Sequence, residues 1–348
     1  MNKTAILTLD YEIFGNGSGN IFTNLIEPME SLLNIANEYN VKYTIFFEAI
    51  EFLRIKQEFE GGNSQGYDSN PIVVVEEQIR NAYLEGHDVQ LHIHPQWANA
   101  SWSEGKWILD NNHWALGSFG KDKKDLVSLI LEGKNYLESI IKQVAPNYKC
   151  LVIRAGAYSL QPSERVAKAM ADLDILVDSS IVPGAVNSAS RSPFDYSDID
   201  QTLDYWWSKD RLEISQPGNL CELPLAVFPL RRYKKLLSLS AIRSRLRNKA
   251  SSLETLNAKT GKDKGFLGKV RYVTGVEFQT WDFCILPKAV HKLFLSKAER
   301  SEKKIYVLVG HPKGFQDASP YRWLLREMKG KFSFETISSI YKFLKTNT

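Results

Sequence analysis

The sequence predicts an α/β protein of the barrel type, with parallel strands joined by helical crossovers. Three observations predict it. Strand-like and helix-like apolar periodicities alternate along much of the chain. The 348 residues exceed an ordinary domain but suit one barrel of ~250 residues carrying insertions. The balance of 43% hydrophobic against 24% charged residues is that of a globular chain with a sizeable core.

The elements follow in order. "TAILTLDYE" alternates as a strand, and "NLIEPMESLLNIANEYN" places Ile26, Met29, Leu32, Leu33 and Ile35 on one helical face. "VKYTIFFEAI" is the second strand. After the loop "EGGNSQGYDSN" come a helix from about Ile72 to Leu84 and a third strand, "DVQLHIH". The rhythm continues with the helix "KKDLVSLILEGKNYLESIIKQV", the strand "YKCLVIRA", the helix "PSERVAKAMADL" and the strand "DILVDSS". Residues 184–280 are less regular and predict a lid or inserted subdomain. Beyond them stand the strand "KKIYVLVGH" and the helices "SPYRWLLREMK" and "FETISSIYKFLKT".

Composition narrows the partners. A net charge of +4 gives no indication of nucleic-acid binding. The charge is unevenly spread: Arg231–Lys249 has eight basic residues and no acidic one, with Leu236, Leu239, Ile242 and Leu246 at amphipathic spacing. That insertion, at about 230–275, is expected to be a solvated basic face, or to touch a phosphorylated glycan carrier or an anionic membrane surface peripherally. The start "MNKTAILTLDYEIF" enters a strand pattern without a secretory signal, and the apolar runs are shorter than the ~20 residues that span a bilayer, so a cytoplasmic protein is expected. Cys150, Cys221 and Cys284 are scattered and predict free core thiols.

Strand ends on one side of a barrel can aim side chains at one point. In "LTLDYE", alternation puts Thr8, Asp10 and Glu12 on one face; in "VQLHIH" it groups Gln90, His92 and His94. Two imidazoles and two carboxylates can thus converge into a metal site with one carboxylate left for acid/base work. Carboxylates inside an apolar strand are costly unless paired or coordinated, which favours this arrangement over a solvated strand. His87 is out of phase with the pair and is expected to be structural. Arg154 ends another strand, where a guanidinium can orient a carboxylate. His311 ends "VLVGH", a position suited to a general acid. In "PQWANASWSEGKWILDNNHWALGSF", Trp97, Trp102, Trp107 and Trp114 are expected partly to pin the loop and partly to offer faces to sugar rings.

The ordered set "LTLDYE", "VKYTIFFEAIEFL", "GHDVQLHIHPQW", "IRAGAYS", "LVDSSIVPG" and "VLVGHPKGF" resembles the polysaccharide deacetylase superfamily, the NodB-homology or carbohydrate esterase family 4 proteins. The resemblance spans most of the chain and implies a distorted (β/α)7 barrel with one divalent metal, commonly zinc, that hydrolyses N-acetyl or O-acetyl groups of sugars. Carried over by position, it implies Asp10 as base, His92 and His94 as metal ligands and Arg154 as the group orienting the base. It also implies a backbone N–H at Tyr158 in the oxyanion hole, His311 as general acid and Asp178 as that acid's support. This chain departs from the common pattern in having Tyr11 where a second aspartate is usual, with Glu12 beyond it, and in spacing its histidines H-x-H. Whether Asp10 or Glu12 binds the metal therefore stays open.

The expected function is metal-dependent deacetylation of a sugar, during assembly of a bacterial surface glycan. Trp97, Trp102, Trp107 and Tyr158 are expected to contact a carbohydrate substrate, either free or linked to the carrier that the basic insertion would touch. The rival readings are hydrolysis of another C–N bond on the same fold and a non-catalytic glycan-binding protein.

Overall fold

A computed structural model describes residues 3–110, 112–120, 122–231 and 276–347. The basic segment, with most of the insertion expected at about 230–275, lies outside the described residues.

β1 (Lys3–Tyr11) is buried on both faces after its first residue, as the parallel core of an α/β protein requires. It leads to α1 (Glu27–Tyr39), which has Pro28 in its first turn and stops at Asn40, a residue at φ 52°. β2 (Thr44–Glu48) runs directly into α2 (Ala49–Glu60). That helix is absent from the sequence expectation, since its periodicity is blurred by the apolar run of the strand before it. α3 (Pro71–Leu84) starts where the Asn70 side chain accepts from the Ile72 N–H, and β3 (Asp88–Ile93) follows.

The small hairpin β4 (Ser101–Ser103) and β5 (Lys106–Ile108) precedes α4 (Lys123–Ile141), which Asp122 and Asp125 start with a reciprocal capping box. β6 (Val152–Ala155), α5 (Ser163–Asp172) and β7 (Val177–Asp178) come next. The irregular region holds β8 (Val186–Asn187), β9 (Phe194–Asp195), β10 (Trp206–Ser208), β11 (Leu220–Glu222), β12 (Val227–Arg231) and β13 (Val276–Thr280). Finally come α6 (Lys288–Arg300), β14 (Ile305–Gly310), α7 (Ala318–Met328), β15 (Phe332–Glu335) and α8 (Ile337–Asn347). Phe334 and Glu335, expected to be helical, belong to β15, which pairs with β1 in parallel.

The main sheet runs β10-β11-β7-β6-β3-β2-β1-β14. Its pairs are parallel from β11 to β14, and only β10 is antiparallel. The curl is closed by residues 223–226 rather than by a further strand: Leu223 N–H donates to Asp178, and Ala226 N–H donates to Val307 of β14. The parallel ring β1-β2-β3-β6-β7-β11-β14 is therefore a distorted (β/α)7 barrel. At its N-terminal mouth α8 is anchored by Ile337 N–H donating to Thr44 Oγ1 (2.9 Å) and by Ser338 Oγ bonded to Asp88 (2.9 Å).

The three cysteines are buried and unpaired. His87 is buried too, accepting the Tyr43 N–H at Nδ1 (2.9 Å) while its ring stacks on Tyr43. Burial, with Lys42 nearby, pushes its pKa down to about 4, so it serves as a neutral core residue. Among the described residues no helix is long and apolar enough to cross a membrane.

Candidate metal centre and active site

Strand register brings the chemistry together. Asp10 pairs with Phe46, Glu48 with His92, and His92 with Arg154, so all of these residues reach the C-terminal ends of neighbouring strands. Glu12, His92 and His94 are buried, and one donor atom from each lies within 4.8 Å of the others. His94 Nε2 is 2.6 Å and His92 Nε2 3.6 Å from Glu12 Oε2. Despite the 2.6 Å approach, neither Glu12 Oε2 nor His94 Nε2 makes a hydrogen bond of acceptable geometry.

Two ligands of one zinc ion, each ~2.0–2.2 Å from it, stand roughly 3–3.5 Å apart in a tetrahedron. The 3.6 Å between His92 and Glu12 is close to that spacing and the 2.6 Å approach of His94 is tighter than it, while the buried Glu12 Oε2 and His94 Nε2 have no hydrogen-bond partner that a metal would displace, so the donor set fits a divalent metal.

The surroundings fix these donors. His92 Nδ1 lies 2.9 Å from the Arg154 carbonyl oxygen, which can only accept, so the proton sits on Nδ1 and the Nε2 lone pair faces Glu12. The His94 N–H donates to Glu48 (3.1 Å), and the Gln96 amide lies 2.9 Å from His94 Nδ1. Gly156, just past β6, leaves room for the His94 ring: a Cβ there would stand 2.5 Å from His94 Cγ. Lys313 Nζ holds the second Glu12 oxygen at 2.7 Å and also donates to the Ile13 carbonyl. Burial opposes ionisation of Glu12, but the charges of Lys313 and His94 outweigh it and hold its carboxyl well below the usual range.

Asp10 belongs to a second group. Arg154 Nη1 donates to Asp10 (2.6 Å) and to Thr8 Oγ1 (2.8 Å), while Nε donates to the Ser179 carbonyl (2.8 Å). The guanidinium lies over the Phe46 ring. Burial raises the Asp10 pKa, yet Arg154 together with His92 and His311 brings it below the ordinary value, so the carboxylate stays ionised. His311 Nε2 is 3.5 Å from its other oxygen. The aspartate expected to support His311 was Asp178, but His311 Nδ1 pairs instead with Asp282 at 2.7 Å. Burial disfavours the imidazolium; the hydrogen bond and charge of Asp282 outweigh it and raise the His311 pKa. Asp178 is engaged elsewhere, accepting from the Ser180 N–H (3.0 Å) and hydroxyl (2.7 Å) beside a buried Glu222. Ser180 engages both Asp178 oxygens, while Asp282 is held against β14, the strand that leads to His311, by its bridge to Val309.

Tyr11 faces away from the site, among Phe47 and Phe52, with its hydroxyl on Gln78 (2.7 Å). Tyr158 does reach the site, its hydroxyl 3.4 Å from His311 Nε2. Ala157 and Tyr158 have φ of 50° and 60°, a left-handed pair of non-glycine residues costing on the order of 1–3 kcal/mol each. Tyr196 Oη holds the turn by donating to the Tyr158 carbonyl (2.8 Å).

The tryptophans divide. Trp97 is fully buried and packs edge-on against Trp107, so it pins the loop rather than offering a face to substrate as expected, whereas Trp107, although largely buried, borders the same cavity as Trp102. Trp102 is half-buried and lines a cavity of about 430 Å³ with Ile13, Asn16 and Tyr67, next to Glu12 in sequence. Sequence reasoning missed Lys313, Gln96, Glu48 and Asp282. Lys313 lay within the quoted "HPKGF", two residues from His311; Asp282 lay at the edge of the irregular region and carried no periodic signal.

No protein-family model matches the chain, and no curated protein matches it. Among solved structures, the chain is similar to a protein assigned as a polysaccharide deacetylase from Mycobacterium smegmatis, with a TM-score of 0.51 at 15% identity over 100% of this chain and 92% of that one. Fainter likenesses include a CE4 esterase of Streptococcus mutans, at TM-score 0.43 and 12% identity over 96% and 86% of the two chains. An allantoinase matches at TM-score 0.48 and 12% identity over 99% and 90%. At such identity the likeness shows the fold: the barrel is of the polysaccharide deacetylase type.

Proposed function

We propose that this chain is a metal-dependent hydrolase that removes an acetyl group, N-acetyl before O-acetyl, from a sugar. The observation that carries the proposal is the buried Glu12–His92–His94 cluster set beside the Asp10–Arg154 and His311–Asp282 pairs at one barrel mouth. Two imidazoles and a carboxylate suit zinc, with Glu12 as the carboxylate ligand. A divalent ion held there supplies Lewis acidity toward the acetyl carbonyl and lowers the pKa of water from ~15.7 toward neutrality.

Asp10, kept ionised and oriented by Arg154, accepts the proton of the attacking water at the oxygen that Arg154 does not hold. His311, kept protonated by Asp282, donates from Nε2 to the departing nitrogen. An amine leaves only when protonated, so a histidine with a raised pKa favours amide over ester cleavage. The backbone N–H at Tyr158 is the proposed donor to the oxyanion, and the strained turn around it fits a position held for function. Trp102 and the cavity beside it would receive the sugar. Three unpaired thiols fit a cytoplasmic setting, at a stage of surface-glycan assembly in which residues 231–249 meet a carrier or membrane surface.

The test is acetate release from N-acetylated and O-acetylated oligosaccharides by metal-loaded protein. Release from the amide that disappears in Asp10→Asn supports the proposal. No release, or release that survives Asp10→Asn, overturns it.

A further inference from the structure

Asp178 of β7 and its partner in register on β11, Glu222, are both buried. Residues in register on neighbouring parallel strands, about 4.8 Å apart, point to the same face, so the two carboxyls lie side by side. The donors that reach them among the described residues are uncharged. Ser180 serves both oxygens of Asp178, and the Ile181 N–H donates to Glu222 Oε1 at 3.3 Å. Glu222 Oε2 is buried and meets no donor, as befits an oxygen that itself carries a proton.

Two carboxylates this close in a dry interior cannot both ionise. Their surroundings decide which keeps the proton. Burial raises the Asp178 pKa, but the bonds from Glu222 and Ser180 and the charge of Arg154 oppose that rise. Burial and the charge of Asp178 together push the Glu222 carboxyl well above the usual range. Glu222 is thus the acid of the pair, and Asp178 accepts from it.

Past the end of β7, the N–H groups of Ser180 and Ile181 are held by these two carboxyls and not by a neighbouring strand. That segment touches the active site at two points. Ser179 accepts from Arg154 Nε at its carbonyl (2.8 Å) and from Nη2 at its hydroxyl (3.1 Å), and its own O–H goes to Leu223, the neighbour of Glu222 (2.8 Å). Ser180 Oγ donates to Asp178 and accepts the Ala155 N–H at 2.8 Å, at the entry to the turn Gly156–Tyr158.

We propose that Glu222 is a positioning residue: it donates its proton's hydrogen bond to Asp178, and the pair sets the Ser179–Ser180 segment that holds Arg154 on Asp10 and the Ala155 N–H at the head of the Tyr158 turn. Its part in turnover rests on the hydrolase reading above, whereas the proton and the order of the segment do not.

Three readouts on the metal-loaded full chain test the proposal. The infrared difference between the parent and Glu222→Gln at neutral pH should show loss of a carboxylic-acid carbonyl band; loss of a carboxylate band instead overturns it. Hydrogen exchange at the Ala155 and Ser180 amides should quicken roughly tenfold or more in Glu222→Leu, which cannot donate, and return toward the parent rate in Glu222→Gln, whose amide can. In acetate release, Glu222→Leu should lose about tenfold or more in kcat with KM and metal content unchanged, and Glu222→Gln should recover most of it. Exchange or kcat unaltered in Glu222→Leu, or equal losses in the Leu and Gln variants, would overturn the proposal. Should Glu222→Leu fail to fold, as judged by its melting curve, Ser180→Ala cuts the link to Ala155 and should lower kcat alike while keeping the infrared band; an unchanged kcat there counts against the proposal. A parent that releases no acetate sinks the hydrolase reading, and the infrared and exchange arms still decide the role of the pair.

Discussion

His311 Nδ1 and a carboxylate oxygen of Asp282 stand 2.7 Å apart, while Asp178 is bonded to Ser180. The imidazolium pKa is raised, so the acid form persists as pH increases and is lost only above that raised value. Removing the Asp282 charge lowers the pKa. In Asp282→Asn the alkaline limb of kcat/KM should therefore move to lower pH, by about 1–2 units. Asp178→Asn should leave that limb in place. A shift in Asp178→Asn alone would return the supporting role to Asp178.

Glu12 and Asp10 share a strand face but sit in different groups, Glu12 with His92 and His94 and Asp10 with Arg154, and the proposed function gives them different roles. Asp10→Asn should retain stoichiometric metal and lose ~10²–10⁴ in turnover. Glu12→Gln, or His92→Ala with His94→Ala, should lose metal by elemental analysis of protein purified without chelator. Stoichiometric metal in the double histidine variant would remove the metal centre from the proposal.

Gly156 touches no proposed substrate, yet its missing side chain shapes the site. Gly156→Ala would press a methyl group on the His94 ring, and the ring must turn to relieve it. Metal affinity should fall roughly 10–100-fold, the usual cost of disturbing a ligand's support. The melting temperature of metal-free protein should change far less. Unaltered affinity in competition with a chromogenic chelator would show that the ring has another way out.

Glu51 is buried, accepts the Ile13 N–H at 2.9 Å, and has its pKa pushed up to about 8 by burial and by the charge of Glu12. Its unfolded value lies near ~4.3. A carboxyl whose pKa is raised in the folded state is best tolerated below its unfolded pKa, and the protein loses stability as pH rises from there toward 8. Glu51→Gln keeps an acceptor and removes that loss. The variant should be more stable than the parent by about 1–3 kcal/mol at pH 8 and nearly equal to it at pH 4 in denaturant titrations. A variant that is equally destabilised at both pH values would show that the carboxyl contributes through its packing and hydrogen bond and that its ionisation is not opposed by the fold.

The sequence made the barrel legible because its strands and helices differ in period, and it made Asp10, Glu12, His92 and His94 legible because a strand repeats every two residues. Arg154 and His311 were visible as polar ends of apolar runs. What stayed hidden depends on contacts between distant segments. Asp282 reaches His311 through a single bridge to Val309, and Lys313 reaches Glu12 across 301 positions. The tryptophan loop announced its composition, but which rings faced inward was decided by packing against neighbours that no local pattern specifies. The helix α2 was missed because Thr44–Glu48 and Ala49–Glu60 adjoin with no turn residue between them.

β1 lies between strands made very early and strands made very late. Its Thr8 hydroxyl donates to Leu308, 300 positions away, and β14 and β15 both join it from beyond residue 304. As a ribosome emits the chain, β1 can gain β2 at once but must wait with its other edge open until β14 arrives. Such long-range pairing slows folding and leaves an adhesive edge in the meantime. The nascent chain also acquires its parts in sequence: Glu12, His92 and His94 first, Arg154 next, and Asp282 and His311 last. An incomplete chain thus holds Glu12, His92 and His94 before it holds Asp282 and His311, so the group of side chains at the barrel mouth is whole only once the last strands have joined β1.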